Sequence, residues 1–340
     1  MVCYVTAWNR QRHPPYPQTG EYLNPDGAVV SIRDALDAAV QGTMTYTPQV
    51  LDGLLDRPSP GGSRELQLEV TGERTQIAAR RLVVEEGVGD LLLLNYASAR
   101  NVGGGFLKGA RAQEEDLMRC SGLYAAVRGQ DEYYAANRAV DSMLYTDHLI
   151  YSPGVPFFRA KNRDRLKTPY TSAVITAPAP NAGQARRRDP DSDLAIEAAL
   201  RRRAGKILAV AAERGHTTLL LGAWGCGVFM NDPAVVADAF GTWLRSERFS
   251  GVFQRAIFAV FEPKGTSKQE TFARILDAEG KIYAPIPAPP GAEKRQRSST
   301  NAHPSLRGPV VGGSAHQTGS GGRRCSTPGL YGPARRELQR

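Results

Sequence analysis

The sequence predicts an α/β fold: a mostly parallel sheet with helices on both faces. Three observations carry that reading. Four largely apolar runs, at residues 91–94, 173–177, 217–221 and 256–261, lack polar alternation, as strands buried on both faces do. Each run is followed by a stretch with helical spacing, and strands alternating with helices build parallel sheets. Two glycine-rich stretches, at 103–105 and 222–227, come just after two of these strands, where open α/β sheets bind their ligands.

In chain order, residues 1–21 carry Pro, Arg and Gln without a period and read as irregular. Asn24-Pro25-Asp26-Gly27 is a turn signal. Residues 31–40 read as a helix, with Ser31 as N-cap and Ile32, Leu36 and Val40 on one face. Leu66, Leu68 and Val70 alternate with Gln67 and Glu69, the pattern of a strand with one apolar face. Helical spacing returns over 75–84 through Ile77, Ala78, Leu82 and Val83. After the strand at 91–94 and its glycines, an amphipathic helix is expected over 112–128, with Leu117, Cys120, Tyr124 and Val127 on its apolar face.

Residues 145–170, with Pro153, Pro156 and Pro169, read as a long connection, and such connections usually carry function or move. Helices are expected over 191–213, 233–246 and 268–278. Beyond Pro285 the chain turns to Pro, Gly, Ser, Arg and Gln and reads as disordered. The expected organisation is therefore an irregular segment (1–21), a catalytic domain (22–285) and a disordered basic tail (286–340).

At 340 residues and 41% hydrophobic, the chain can bury one large core or two modest ones. No apolar run approaches the about 20 residues of a membrane span. Residues 1–8 are apolar, but arginines and prolines follow at once, unlike a signal peptide. Cys3, Cys120, Cys226 and Cys325 show neither metal spacing nor a disulfide framework. A cytoplasmic protein without membrane attachment is expected. From Ile286 on there are nine Lys and Arg against two acids, a net +7 of the chain's +9. The basic character thus belongs to the tail, which is open to weak nucleic-acid contact or to a merely solubilising role.

The second glycine stretch continues Gly225-Cys226-Gly227-Val228-Phe229-Met230-Asn231-Asp232-Pro233. Asp232 suits an N-cap and Pro233 a first helical position. The loop before them therefore offers backbone N–H groups to an anion such as a diphosphate. A tight turn that needs glycine only for its backbone is the equal alternative.

The P-loop pattern fails because Lys108 precedes Gly109 and Ala110 follows. The dinucleotide fingerprint fails because Lys108 stands where its third glycine belongs. The five histidines are isolated from metal-ligating partners, so no metal and no cofactor is expected. Cys226 could be a nucleophile, but no histidine is placed to activate it, and a small residue in a tight loop is preferred.

Gln113-Glu114-Glu115 opens the helix after the first glycine loop. Acids in a first turn often serve only the helix dipole. Here the glycine loop would bring a ligand to them. Adjacent acids in a partly dry site do not ionise independently, so one is expected to have a raised pKa. Such an acid can protonate a leaving oxygen, as glycoside cleavage requires.

Gly103-Gly104-Gly105 followed after seven residues by Gln113-Glu114-Glu115 resembles the signature of microbial-type poly(ADP-ribose) glycohydrolases. The blocks at 95–101, 144–153, 175–183 and 221–233 also look like that family, over about residues 22–276. The resemblance implies a macrodomain-like three-layer α/β/α fold with a mixed, mostly parallel central sheet. It implies hydrolysis of the ribose–ribose bond of poly(ADP-ribose), releasing ADP-ribose, and so a part in ADP-ribosylation reversal and the DNA damage response. Glu115 would be the catalytic acid and base, Glu114 would hold ribose hydroxyls, and Gln113 would support the pair. The distal ribose would lie against Asn95, Asn101, Gly103, Gly104 and Gly105. The diphosphate would lie on Gly225, Cys226, Gly227, Val228 and Phe229. Phe229 is either a ribose-packing ring or a core aromatic. Glu73 stands where macrodomains usually carry an acid that contacts adenine. A monomer is expected, acting on poly(ADP-ribose) or on ADP-ribosylated protein. Cleavage of single ADP-ribosyl links, or ADP-ribose binding without turnover, are the competing readings.

Overall fold

A computed structural model gives the structure, described here for residues 20–160 and 164–276. The tail after 276 and the segment before Gly20 lie outside these residues. A short antiparallel ribbon comes first, β1 (Glu21–Leu23) and β2 (Val29–Ser31), closed by the expected turn. Glu21 is thus already in a strand, one residue inside the segment expected to be irregular. Ser31 ends β2 instead of capping a helix, and α1 (Arg33–Gly42) starts two residues later with Ile32 at its N-cap. β3 (Met44–Tyr46), α2 (Pro48–Leu55), β4 (Gln67–Thr71) and α3 (Thr75–Arg80) follow, the last running into a wide π-turn at Arg81–Glu85.

β5 (Leu91–Tyr96) leads through the glycine loop to α4 (Gln113–Cys120), α5 (Leu123–Val127) and α6 (Asp131–Ala139). β6 (Leu149–Arg159), β7 (Arg165–Ala177), α7 (Ala182–Arg188), α8 (Asp193–Glu213), β8 (Thr218–Gly222), α9 (Pro233–Leu244), β9 (Arg255–Ala259) and α10 (Ser267–Leu276) complete the described chain.

The main sheet has the order β3-β6-β7-β5-β8-β9-β4. β7, β5, β8, β9 and β4 run parallel, while β6 is antiparallel to both β7 and β3, so the sheet is mixed but mostly parallel. Alternation along the strands splits the core into two layers. Leu92, Leu94, Leu219 and Leu221 face α2, α7, α8, α9 and α10. Leu91, Leu93 and Leu220 face α3, α4, α5 and α6. The macrodomain-like three-layer arrangement follows from that two-sided burial. Among the described residues no helix is long and apolar enough to cross a membrane.

Two expectations fail for physical reasons. The stretch 145–170 is mostly the long β6–β7 hairpin, with Val155, Phe157 and Phe158 fully buried. Prolines hid it, since they interrupt a ladder. A register shift between Ser152 and Val155 absorbs Pro153 and Gly154. The single helix expected over 112–128 is two. Ser121 is extended (φ −142°, ψ 176°) and bridges Phe157 of β6, and Gly122 N–H donates to Pro156 O at 2.9 Å. A side chain at 122 would meet Leu36 at 2.5 Å, so the chain closes there on α1.

Candidate active site

β5 sits between β7 and β8 and delivers both halves of the site. It pairs with β8 only as far as Leu93, and with β7 as far as Tyr96. Past Leu93 the side-chain amide of Gln113 takes the neighbouring strand's place. Its Oε1 accepts from Tyr96 N–H at 2.9 Å, and its Nε2 donates to Leu94 O at 2.8 Å and to Thr75 Oγ1 at 3.2 Å. Gln113 thereby ties the start of α4 to the end of β5, which seats the two carboxylates that follow it.

Glu114 is buried. Its Oε2 accepts from Ser98 N–H at 2.9 Å and its Oε1 from Asn95 Nδ2 at 3.3 Å. Asn95 lies wholly buried beneath it and also donates to Thr176 Oγ1 at 3.2 Å. Burial pushes the Glu114 carboxyl up to about 8, against the Ser98 and Asn95 hydrogen bonds, which favour the charged form. The neighbouring Glu115 charge adds a lesser upward push. Desolvation, ahead of mutual repulsion, is therefore the main cause of the raised Glu114 carboxyl.

Glu115 is held by backbone alone. Its Oε1 accepts from Gly105 N–H at 2.8 Å, and its Oε2 accepts from Ala112 N–H at 3.0 Å, the returning arm of a capping box. Gly104 lies directly over both acids. At its φ of +61°, a Cβ would stand 2.5 Å from Glu115 Oε1 and 2.7 Å from Glu114 Oε2. Glycine here serves backbone conformation and close approach at once. Gly103, also left-handed at φ +64°, is buried against Tyr124 and Met118, and the Asn101 N–H is held by Ser98 Oγ at 3.1 Å.

The second loop leaves the neighbouring strand. A Cβ at Gly222, the last residue of β8, would strike the Tyr96 hydroxyl at 2.1 Å, so the ends of β5 and β8 stand together. Gly225 turns at φ +72° against Asn231 and Ala179. Asn231 straps the loop, donating from Nδ2 to Pro180 O at 2.8 Å and to Gly225 O at 3.2 Å. Asp232 caps α9 by accepting from Ala234 N–H at 2.8 Å. Among the described residues, the N–H groups of Gly227, Val228 and Phe229 have no protein acceptor. Gly227 and Val228 are exposed, while Phe229 is half-buried with its ring 6.1 Å from that of Tyr145.

Two side chains have surroundings that the sequence hid. Glu73 is already engaged by protein groups: Arg81 holds it at 2.8 Å and Thr71 Oγ1 donates to it at 2.9 Å. Burial pushes the Cys226 thiol up to about 12, the reverse of an activated nucleophile. Among the described residues no group of three His, Cys, Asp or Glu gathers as for a metal. Ser98, Thr176 and Asn231 hold the site without having been singled out by sequence. Their contacts are made across the fold, where no local pattern could reveal them.

The fold and this site define a macrodomain-like protein in which glycine-rich loops leave two neighbouring strands and the first closes on a pair of buried carboxylates. The chain belongs to the poly(ADP-ribose) glycohydrolase family. Residues 15–160 match the family model for the microbial-type PARG catalytic domain. The poly(ADP-ribose) glycohydrolase of Thermomonospora curvata bound to the inhibitor ADP-HPD is 46% identical, with 75% of this chain and 93% of that one covered and a TM-score of 0.68. Another structure of the Thermomonospora curvata protein reaches a TM-score of 0.70, at the same identity and coverage. The Deinococcus radiodurans glycohydrolase in complex with ADP-ribose is also 46% identical, over 71% of this chain and 97% of that one, with a TM-score of 0.66. No curated protein sequence matches.

Proposed function

We propose that this protein is a poly(ADP-ribose) glycohydrolase that cleaves the ribose–ribose O-glycosidic bond of poly(ADP-ribose) and releases ADP-ribose. One observation carries the reading: Glu114 and Glu115 converge under Gly104, whose missing side chain lets the glycine loop close directly on both acids. The diphosphate would rest on the unpaired N–H groups at 227–229, and Phe229 would pack on the distal ribose. Glu115 would pass its proton to the departing ribose oxygen as the glycosidic bond breaks. It would then take a proton from the water that captures the oxocarbenium-like sugar.

Glu114, neutral near pH 7 by virtue of its burial, is suited to a hydrogen bond with a ribose hydroxyl. Gln113 and Asn95 would hold the pair, and Asn101, Gly103 and Gly105 would border the sugar. Residues 22–285 are the proposed catalytic domain. We place the protein in the cytoplasm as a monomer, acting on poly(ADP-ribose) or ADP-ribosylated protein in ADP-ribosylation reversal. Weak nucleic-acid contact is assigned to the basic tail.

Glu115→Gln keeps the size of the side chain and removes the titratable proton, at the cost of one of its two backbone hydrogen bonds. Release of ADP-ribose from defined polymer should fall by about 10²–10⁴-fold, while ADP-ribose binding by calorimetry persists. Undiminished turnover would refute the assignment. Parallel assays on singly modified protein separate polymer cleavage from removal of single ADP-ribosyl groups.

A further inference from the structure

Among the described residues two that are not glycine have a positive φ, Tyr145 at 60° and Met230 at 58°. Both lie beside one residue, Phe229. Met230 follows Phe229 directly, and the Tyr145 ring lies 6.1 Å from the Phe229 ring at a tilt of 45°. A left-handed backbone under a bulky side chain is strained, and it persists only where its surroundings impose it.

Around Tyr145 the imposition is heavy. Leu144 O accepts from Arg203 Nη2 at 3.0 Å. Thr146 donates from both N–H and Oγ1 to Asn137 Oδ1, each at 2.9 Å. Asp147 is held by Arg202, Arg203 and Lys206. The Tyr145 ring also has the Arg100 guanidinium over it, 5.6 Å from its centroid. Arg100 is itself fixed by Asn137 O at 3.3 Å and Val140 O at 2.9 Å. Arg100 directly precedes Asn101 of the glycine loop, so the Tyr145 ring spans from one ligand loop to the other. A turn with no further duty would be better served at φ +60° by glycine or asparagine. The strain is retained where an aromatic ring is wanted.

We propose that Tyr145 is a positioning residue for glycoside cleavage: its ring clamps Phe229 so that the sugar packed on Phe229 presents its reacting carbon to Glu115. The inference rests on the proposed glycohydrolase activity. It assigns Tyr145 no contact with substrate; its effect passes through Phe229.

Steady-state kinetics on defined polymer, competitive inhibition by ADP-ribose, and thermal melting test it. Tyr145→Gly accepts the left-handed backbone, so Tm should hold or rise. kcat should nonetheless fall about 10–100-fold through misplacement of the sugar, with the inhibition constant of ADP-ribose moving less than about threefold. Tyr145→Phe should stay within about twofold of wild type. Phe229→Leu should lose a similar factor, and the double variant Tyr145→Gly/Phe229→Leu should lose little more than Phe229→Leu alone. Tyr145→Asn, which also tolerates this φ, repeats the test should the glycine variant be unstable. Wild-type kcat in the glycine or asparagine variant overturns the proposal, and so do losses that multiply in the double variant. Failure of the wild-type chain to release ADP-ribose counts instead against the glycohydrolase reading, and the same assay separates the two.

Discussion

Two buried carboxylates show how differently one fold treats an acid. Asp147 lies behind the Tyr145 loop and accepts from Arg202 at 2.6 Å, Arg203 at 3.0 Å and Lys206 at 2.7 Å. Burial alone would push its carboxyl up, but those hydrogen bonds and charges hold it well below the usual range. Glu114 has only a backbone N–H and a neutral amide for hydrogen-bonding partners, and burial carries it up to about 8. Asp147 is a permanent anion that neutralises cations and fixes a loop. Glu114 is an acid kept neutral by desolvation, beneath a loop that a glycine allows to approach closely. Structural acids are sealed by opposite charge, whereas acids suited to chemistry are kept from it.

Removing Asp147 should produce the largest effect. Arg203 is fully buried and Lys206 is 1% exposed. Asp147→Ala leaves these cations short of their counter-charge, although Lys206 keeps Asp52 at 2.7 Å. Breaking a buried ion pair from one side costs about 3–5 kcal/mol, so a drop in Tm large enough to threaten folding is expected. A drop of only a degree or two would show that water reaches the cluster and that Asp147 does not fix the loop.

Glu114 should reverse the sign. Its folded pKa of about 8 lies above the ordinary glutamate value of 4.5. The stability it contributes is therefore fully present below about 4.5 and is lost as pH rises through about 8. Asp147, with its depressed carboxyl, contributes stability that is present above its unfolded pKa and lost as pH falls. Glu114→Gln removes the first of these dependences. Against wild type it should gain roughly a few kcal/mol at pH 9 relative to pH 5, read from urea titrations at the two pH values. Equal differences at both would mean that Glu114 titrates as an ordinary exposed acid.

The same contrast explains what the chain shows unaided. β5, β8, β9 and the second half of β7 are legible because a strand buried on both faces is written as an unbroken apolar run. β6 is not, because Pro153 and Pro156 mask a strand whose irregularity is taken up by a register shift. The α4–α5 break is invisible because Ser121 and Gly122 interrupt no apolar period, and the break is imposed by β6 and α1. In the site, glycines beside two acids stand out as a local pattern. The Arg81 that closes Glu73, the Ser98 N–H under Glu114 and the Tyr145 ring beside Phe229 depend on the fold to bring them there. Burial sets the pKa of Glu114, and burial is a tertiary quantity.

Gly104 tests the open side of the comparison, with the smallest expected loss of stability. Gly104→Ala adds a single carbon at φ +61°, a conformation that costs an L-residue roughly 1–2 kcal/mol. That carbon would also lie 2.5 Å from Glu115 Oε1 and 2.7 Å from Glu114 Oε2, so the acids or the loop must shift. Both Glu114 oxygens are pinned, by Ser98 and Asn95, while the Glu115 oxygen nearest Gly104, Oε1, accepts from Gly105 N–H, which moves with the loop, and only Oε2 stays on Ala112 N–H. The displacement should therefore fall mainly on Glu115. Activity on polymer should drop about 10–100-fold, a loss out of proportion to the change in Tm. The matching substitution at Gly109, left-handed at φ +84° with nothing within 4 Å of its Cβ position, carries a similar conformational cost. If Gly109→Ala lowers activity as much as Gly104→Ala, loop strain is the cause; if it leaves turnover intact, the space over the two carboxylates is what Gly104 protects.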